Sequence, residues 1–209
     1  GKDYDFETRL AGRFNVYNTL GAVGACLSEG VPMETIVEGM RDFKSVPGRF
    51  ELIDEGQPFT VVVDYAHTPD GLEKILTTAE EITKGRIIVV FGCGGDRDRM
   101  KRPIMGRIAA RNADIALVTS DNPRTEDPAS IVKEVAAGVE EVKKEKPSLS
   151  YEVIVDRRSA ICRAIELAKP GDIVLIAGKG HENYQILKDK TIHFDDREEA
   201  RKALKLKEK

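Results

Sequence analysis

Two apolar runs, each halted by a charged turn, constrain this chain more than any other feature. Ile87–Phe91 stops at Gly92-Cys93-Gly94-Gly95, followed by Asp96-Arg97-Asp98-Arg99, and Ile115–Thr119 runs up to Asp121-Asn122-Pro123-Arg124. Neither run alternates apolar with polar residues, so both faces of each strand must be covered, as in a parallel sheet flanked by helices. The stretch between them, from about Pro103 to Arg111, reads as the connecting helix. Ligands of open α/β sheets gather at the carboxyl ends of the strands. Two such ends side by side put Arg97 and Arg124 on one rim.

The same alternation extends through most of the chain. Strands are expected at Phe50–Ile53, Phe59–Asp64, Tyr151–Val155 and Ile173–Ala177 besides the two already named. Helices are expected at about Asp70–Thr83, Pro128–Glu145, Arg158–Ala168 and Arg197–Leu206. Ile131, Val135, Val139 and Val142 recur at three- and four-residue steps, an apolar stripe facing a sheet, and Asp127-Pro128 reads as an N-cap followed by proline at the first helical position. Gln185–Leu187 and Thr191–Phe194 read as a closing hairpin. This pattern predicts an α/β fold with a mainly parallel, doubly wound sheet.

The first 46 residues have a different character. A small-residue helix, Thr19–Leu27, suited to close packing, is broken at Gly30-Val31-Pro32 and followed by a second helix over Met33–Phe43. No strand precedes the pair, so residues 1–46 are expected to be the helical tail of a preceding domain, and residues 47–209 a domain of their own.

Composition excludes several classes of partner. The net charge of −3, with Lys and Arg mixed among Asp and Glu, gives no electrostatic reason to expect nucleic acid. No apolar run approaches the roughly 18–20 residues of a membrane span. Three scattered cysteines without a Cys-x-x-Cys pair argue against structural zinc and for a reducing, cytosolic setting. No metal site is expected.

The strand-end loops each admit two readings. In Asp64-Tyr65-Ala66-His67-Thr68-Pro69, Asp64 suits ribose hydroxyls and His67 a phosphate or substrate; equally, Asp64 satisfies loop amides while Thr68 or Pro69 opens a helix. Gly92–Gly95 lets backbone approach a ligand, yet it is no dinucleotide fingerprint, because position 97 is arginine. Asp121–Arg124 also fits an ordinary Asn-Pro turn. Gly178-Lys179-Gly180-His181-Glu182 lacks the Gly-Lys-Ser/Thr and spacing of a P-loop. Together the loops place arginines, acids and backbone amides on one sheet edge, suiting a zwitterionic ligand.

Six motifs in order resemble the Mur ligases, the ATP-dependent amide-forming enzymes of peptidoglycan synthesis. They are Gly12-Arg13-Phe14-Asn15-Val16-Tyr17-Asn18, Val46-Pro47-Gly48-Arg49, Asp64–Pro69, Phe91–Asp98, Asp121–Arg124 and Gly178–Glu182. The likeness is strongest to the branch that adds meso-diaminopimelate to UDP-MurNAc-L-Ala-D-Glu. It implies the end of a central ATPase domain followed by a complete Rossmann-like C-terminal domain that binds the incoming amino acid. In that family ATP phosphorylates a carboxylate, and the incoming amine attacks the acyl phosphate. The resemblance implies that Asn15, Asn18, Arg49, Asp64 and His67 lie toward the nucleotide. It implies a diaminopimelate site built from Arg97, Asp121, Asn122, Pro123, Arg124, Gly178 and Glu182, with Arg124 on a carboxylate and Glu182 on an ammonium. ATP and Mg2+ belong to the full-length enzyme. With the missing N-terminal and central domains carrying the P-loop and magnesium ligands, no tight cofactor binding, no catalytic residue and no independent activity are expected of this chain. Two alternatives stand beside this reading: a related ligase adding lysine or another amino acid, and a non-catalytic amino-acid- or nucleotide-binding module.

Overall fold

The computed structural model describes residues 2–8, 10, 12–43 and 45–207, and the chain divides into two compact units at Val46/Pro47. The first unit is a pair of helices, α1 (Arg13–Ser28) and α2 (Met33–Asp42), with Gly30 at φ 77° making the break between them. Val23 and Ile36 are its buried apolar residues, and Lys2 and Tyr4 both reach Glu34 on α2. The small-residue face that suits close packing is open among the described residues. A Cβ added at Gly21 or Gly24 would meet nothing within 4 Å, and Val16, Tyr17 and Leu20 are exposed. The helix also begins six residues before Thr19, at Arg13.

The second unit has the expected α/β fold. Its strands are β1 (Glu51–Leu52), β2 (Thr60–Asp64), β3 (Ile87–Phe91), β4 (Ile115–Val118), β5 (Ser150–Val153) and β6 (Ile173–Ala177), in the spatial order β1-β2-β6-β3-β4-β5. All neighbours are parallel except β1, which runs antiparallel to β2 at the edge. The helices are α3 (Pro69–Ile82), α4 (Lys101–Asn112), α5 (Pro128–Glu145), α6 (Arg157–Leu167) and α7 (Asp196–Lys207). The hairpin of β7 (Tyr184–Ile186) and β8 (Thr191–His193) forms a separate two-stranded sheet.

Both faces of β2, β3, β4 and β6 are covered, as their unbroken apolar runs require, whereas β5 at the edge is partly exposed. Val61, Val63, Ile88, Val90, Ile115, Leu117, Val174 and Ile176 pack with Ile161 and Ile165 of α6 and Leu204 of α7. The intervening residues, such as Val62, Val89, Ala116 and Leu175, are fully buried beneath the α3–α5 side. Each of the Val, Leu and Ile side chains contributes about 1.5–3 kcal/mol of burial. On that second side α4 and α5 cross closely. A Cβ at Gly138 would lie 1.9 Å from the Pro103 carbonyl oxygen, and one at Gly106 2.1 Å from that of Val135.

Local chemistry explains the helix starts. Thr68 Oγ1 accepts from Gly71 N (3.2 Å), and Asp127 Oδ2 accepts from Ser130 N (3.0 Å), both with proline at the first helical position. Helix α4 starts two residues earlier than expected, with Pro103 in its first turn. The first amides of a helix have no intrahelical acceptor, so a proline there removes nothing. No helix among the described residues is long and apolar enough to cross a membrane.

Candidate functional site

Register carries the site. Asp64 pairs with Ala177 and Phe91 with Val118, so β2, β6, β3 and β4 end level and their loops share one rim. The loops after β3 and β4 are locked together first. Gly95 N donates to Asn122 O (2.9 Å), and a Cβ at Gly95 would fall 1.9 Å from Pro123 O. These glycines therefore let one loop approach another, where the sequence suggested approach to a ligand. The adjoining charges serve the same end. Asp96 accepts the Thr125 hydroxyl (2.6 Å) and amide (3.2 Å), while Arg99 pairs with Glu134. Fully buried Arg102 bonds Glu126 (2.7 Å) and Glu134 (2.9 Å). Its hydrogen bonds pull the Glu126 carboxyl down to about 2.

On this platform the residues after β4 meet those after β6. Asn122 is buried at the centre: Oδ1 accepts from Lys179 Nζ (3.1 Å) and Ile186 N (3.0 Å), and Nδ2 donates to Glu182 Oε2 (3.0 Å). Lys179, fully buried, also reaches Glu182 Oε2 (3.2 Å) and stands over the Tyr184 ring. Glu182 Oε1 has no hydrogen-bond partner among the described residues. The charge on Glu182 leads the influences that raise the Tyr184 hydroxyl above its ordinary value. Arg124 adopts φ 53°, a left-handed conformation unusual for a side-chain-bearing residue. Its Nη1 donates to Gly95 O (2.9 Å) and Asn122 O (3.4 Å), leaving Nε and Nη2 without a partner among the described residues.

Asp121 lies behind this centre. Its Oδ1 accepts from Asn122 N (2.7 Å), its carbonyl accepts from Gln185 Nε2 (2.7 Å), and its Oδ2 is buried without a partner. Gly178, at φ 121°, fits there because a Cβ would fall 2.7 Å from that oxygen. Deeper still, the Arg157–Asp196 pair is fully buried, and Arg157 holds Ala177 O (2.9 Å) at the end of β6. The structure thus brings Asp121, Asn122, Pro123, Arg124, Gly178 and Glu182 together. Arg97 is exposed beside them, with its guanidinium donating to Asp96 O (3.0 Å).

The other residues singled out from the sequence fall elsewhere. Arg49, Asp64 and His67 surround Tyr65, whose ring lies 4.6 Å from the Arg49 guanidinium, 4.6 Å from the His67 ring and 5.1 Å from that of His181. Asp64 accepts from Phe50 N and Ala66 N, each at 2.7 Å. Burial pushes its carboxyl above the ordinary range, against the pull of those amides and Arg49. His67 Nδ1 bonds Tyr65 O (2.8 Å). Asn15 and Asn18 belong to the first unit, where Asn18 Nδ2 donates to Asn15 Oδ1 (3.2 Å). Among the described residues, no three of His, Cys, Asp and Glu stand together to hold a metal ion.

Sequence reasoning missed Lys179, Tyr184 and Arg102. A lysine between two glycines at the end of a fully apolar strand was the available signal for Lys179. It pointed instead to a comparison with phosphate-binding loops.

Comparison with known proteins gives this arrangement its context. Residues 48–180 match the family model described as Mur ligase, glutamate ligase domain. The UDP-N-acetylmuramoyl-L-alanyl-D-glutamate–2,6-diaminopimelate ligase of Clostridium botulinum is 56% identical over 198 residues, covering 94% of this chain and 40% of that protein. The protein of that name from Syntrophomonas wolfei is 54% identical over 201 residues, 96% of this chain and 40% of its own. A solved structure of a ligase of the same name superposes with a TM-score of 0.75 at 40% identity, over 99% of this chain and 41% of that one. UDP-N-acetylmuramate-alanine ligase of Thermotoga maritima shares the fold, with a TM-score of 0.67 at 20% identity over 100% of this chain and 41% of its own. The chain spans about 40% of the length of the curated relatives it matches.

Proposed function

The chain belongs to the Mur ligase family, and from that premise we propose that it is the amino-acid-binding part of an ATP-dependent ligase. That ligase adds meso-diaminopimelate to UDP-MurNAc-L-Ala-D-Glu in the cytoplasm, through an acyl phosphate. Residues 1–46 are the helical end of its central ATPase domain, and residues 47–209 its C-terminal domain.

One observation carries the reading. Asn122 anchors an arginine and an acid that each keep an unused edge, Nε and Nη2 on Arg124 and Oε1 on Glu182. The side-on guanidinium edge matches a carboxylate with two parallel hydrogen bonds, and the free carboxylate oxygen takes an ammonium. Diaminopimelate carries both groups at its far end. Held there, it presents its near amine to the reacting carboxyl, and fixing that position lowers the entropic part of the barrier. Lysine brings no distal carboxylate, so its binding leaves Arg124 unpaired and is disfavoured by a few kcal/mol.

Arg49, Asp64 and His67, with Asn15 and Asn18 of the first unit, are assigned to the nucleotide side. Arg49 supplies a cation for phosphate, and Asp64 retains acceptor capacity beyond its two amides. ATP and Mg2+ act in the whole ligase, with the phosphates held chiefly by a P-loop.

Calorimetry on this chain tests the reading. Meso-diaminopimelate is expected to bind more tightly than L-lysine, and the chain by itself to hydrolyse no ATP above a blank. Equal or reversed affinities contradict the substrate assignment, and ATP turnover that disappears with Asp64→Ala contradicts the division of labour.

A further inference from the structure

Gly94 has no side chain to contribute, yet the space where one would stand is bounded by the site. A Cβ added there would lie 2.8 Å from Arg124 Nη1, 3.7 Å from Asn122 O and 3.8 Å from Arg97 Cγ. The backbone at Gly94 is outside the left-handed region, so alanine is conformationally allowed. The backbone is also poorly placed to yield. Its carbonyl accepts from buried Arg102 (3.5 Å), and the next residue is pinned to Asn122 O (2.9 Å). What must move is the guanidinium of Arg124, the far end of a flexible side chain.

We propose that Gly94 is a positioning residue for Arg124. The bare Cα leaves room for Nη1 to rest on Gly95 O, which turns the Nε and Nη2 edge toward an incoming carboxylate. Any side chain at position 94 displaces that fork and stands between Arg97 and Arg124, so substrate choice depends on a residue with no side chain to touch the substrate. This rests on Arg124 being the carboxylate-binding arm.

The test compares Gly94→Ala, Arg124→Lys and the double variant in the full chain, by thermal melting, by NMR of arginine side-chain N–H groups, and by calorimetry with meso-diaminopimelate and L-lysine. Gly94→Ala is expected to melt like the parent. It is expected to lose the slowly exchanging guanidinium signal that Arg124→Lys also removes. It should bind meso-diaminopimelate about ten- to a hundredfold more weakly, the value of a hydrogen bond to a charged group, with far less change for L-lysine. The double variant should be no worse than Arg124→Lys alone.

A Gly94→Ala protein that keeps both the guanidinium signal and the parent's preference overturns the proposal. So does one that fails to fold, because only a side-chain end stands in the way. If Arg124→Lys leaves the preference unchanged, the assignment of Arg124 falls, and the proposed control of substrate choice falls with it. The guanidinium signal then still decides whether Gly94 positions the side chain.

Discussion

Asn122 shows how a single side chain organises this rim. Three of its polar contacts are made within the protein, to Lys179, Ile186 and Glu182, so its amide orientation is fixed before any ligand arrives. The arginines divide by exposure. Arg124 keeps free donors at the site, whereas buried Arg102 commits its two terminal nitrogens to Glu126 and Glu134 and so holds two loops together. The Glu126 carboxyl is held at about 2, below the ordinary 4.5, chiefly by its hydrogen bond from Arg102. A carboxyl depressed on folding adds stability that is fully present above its unfolded value and lost as pH falls through its folded one. Urea unfolding of the parent and Glu126→Gln should therefore differ at neutral pH and converge between about pH 4.5 and pH 2. A gap that stays constant across that window contradicts the role given to Glu126. That Asp121, Asn122, Arg124 and Glu182 share one rim was legible because they sit in short motifs at strand ends, while the roles proposed for them rest on the family resemblance. Arg102 was not, since its partners lie 24 and 32 residues away and nothing local marks the pairing.

At the scale of elements, features with a local cause were readable and those with a distant cause were not. The Asp127 cap and Pro128 start of α5 follow from adjacent residues. The crossing of α4 on α5 depends on Gly138 meeting Pro103, 35 positions away, and no sequence period announces it. Gly138→Ala should destabilise the second unit by about 1–3 kcal/mol, because the clash is with backbone that cannot rotate aside. Gly21→Ala, on the open face of α1, should leave the second unit's urea midpoint unchanged. Similar midpoints for the parent and Gly138→Ala would show that the two helices do not rely on this contact.

At the scale of the molecule, the decisive feature is strand order. β6 is the last of the parallel strands in sequence but lies between β2 and β3, which brings residues 178–184 into the middle of the rim. The alternation of strands and helices predicted a parallel sheet without giving this order, because insertion of a late strand leaves no local trace. Insertion also makes the site composite, built from loops whose residues lie some 60 positions apart, such as Asn122 and Glu182. An opening of about 750 Å³, lined by Pro123, Thr125–Pro128 and Leu187–Lys190, adjoins the same loop and offers a competing location. Amide-shift mapping during titration with meso-diaminopimelate separates the two. The account predicts changes concentrated at Asn122, Arg124, Lys179, Glu182 and Tyr184, and weaker ones with L-lysine. Changes concentrated at Thr125–Asp127 and Lys188–Lys190, with Asn122 and Glu182 silent, would contradict it.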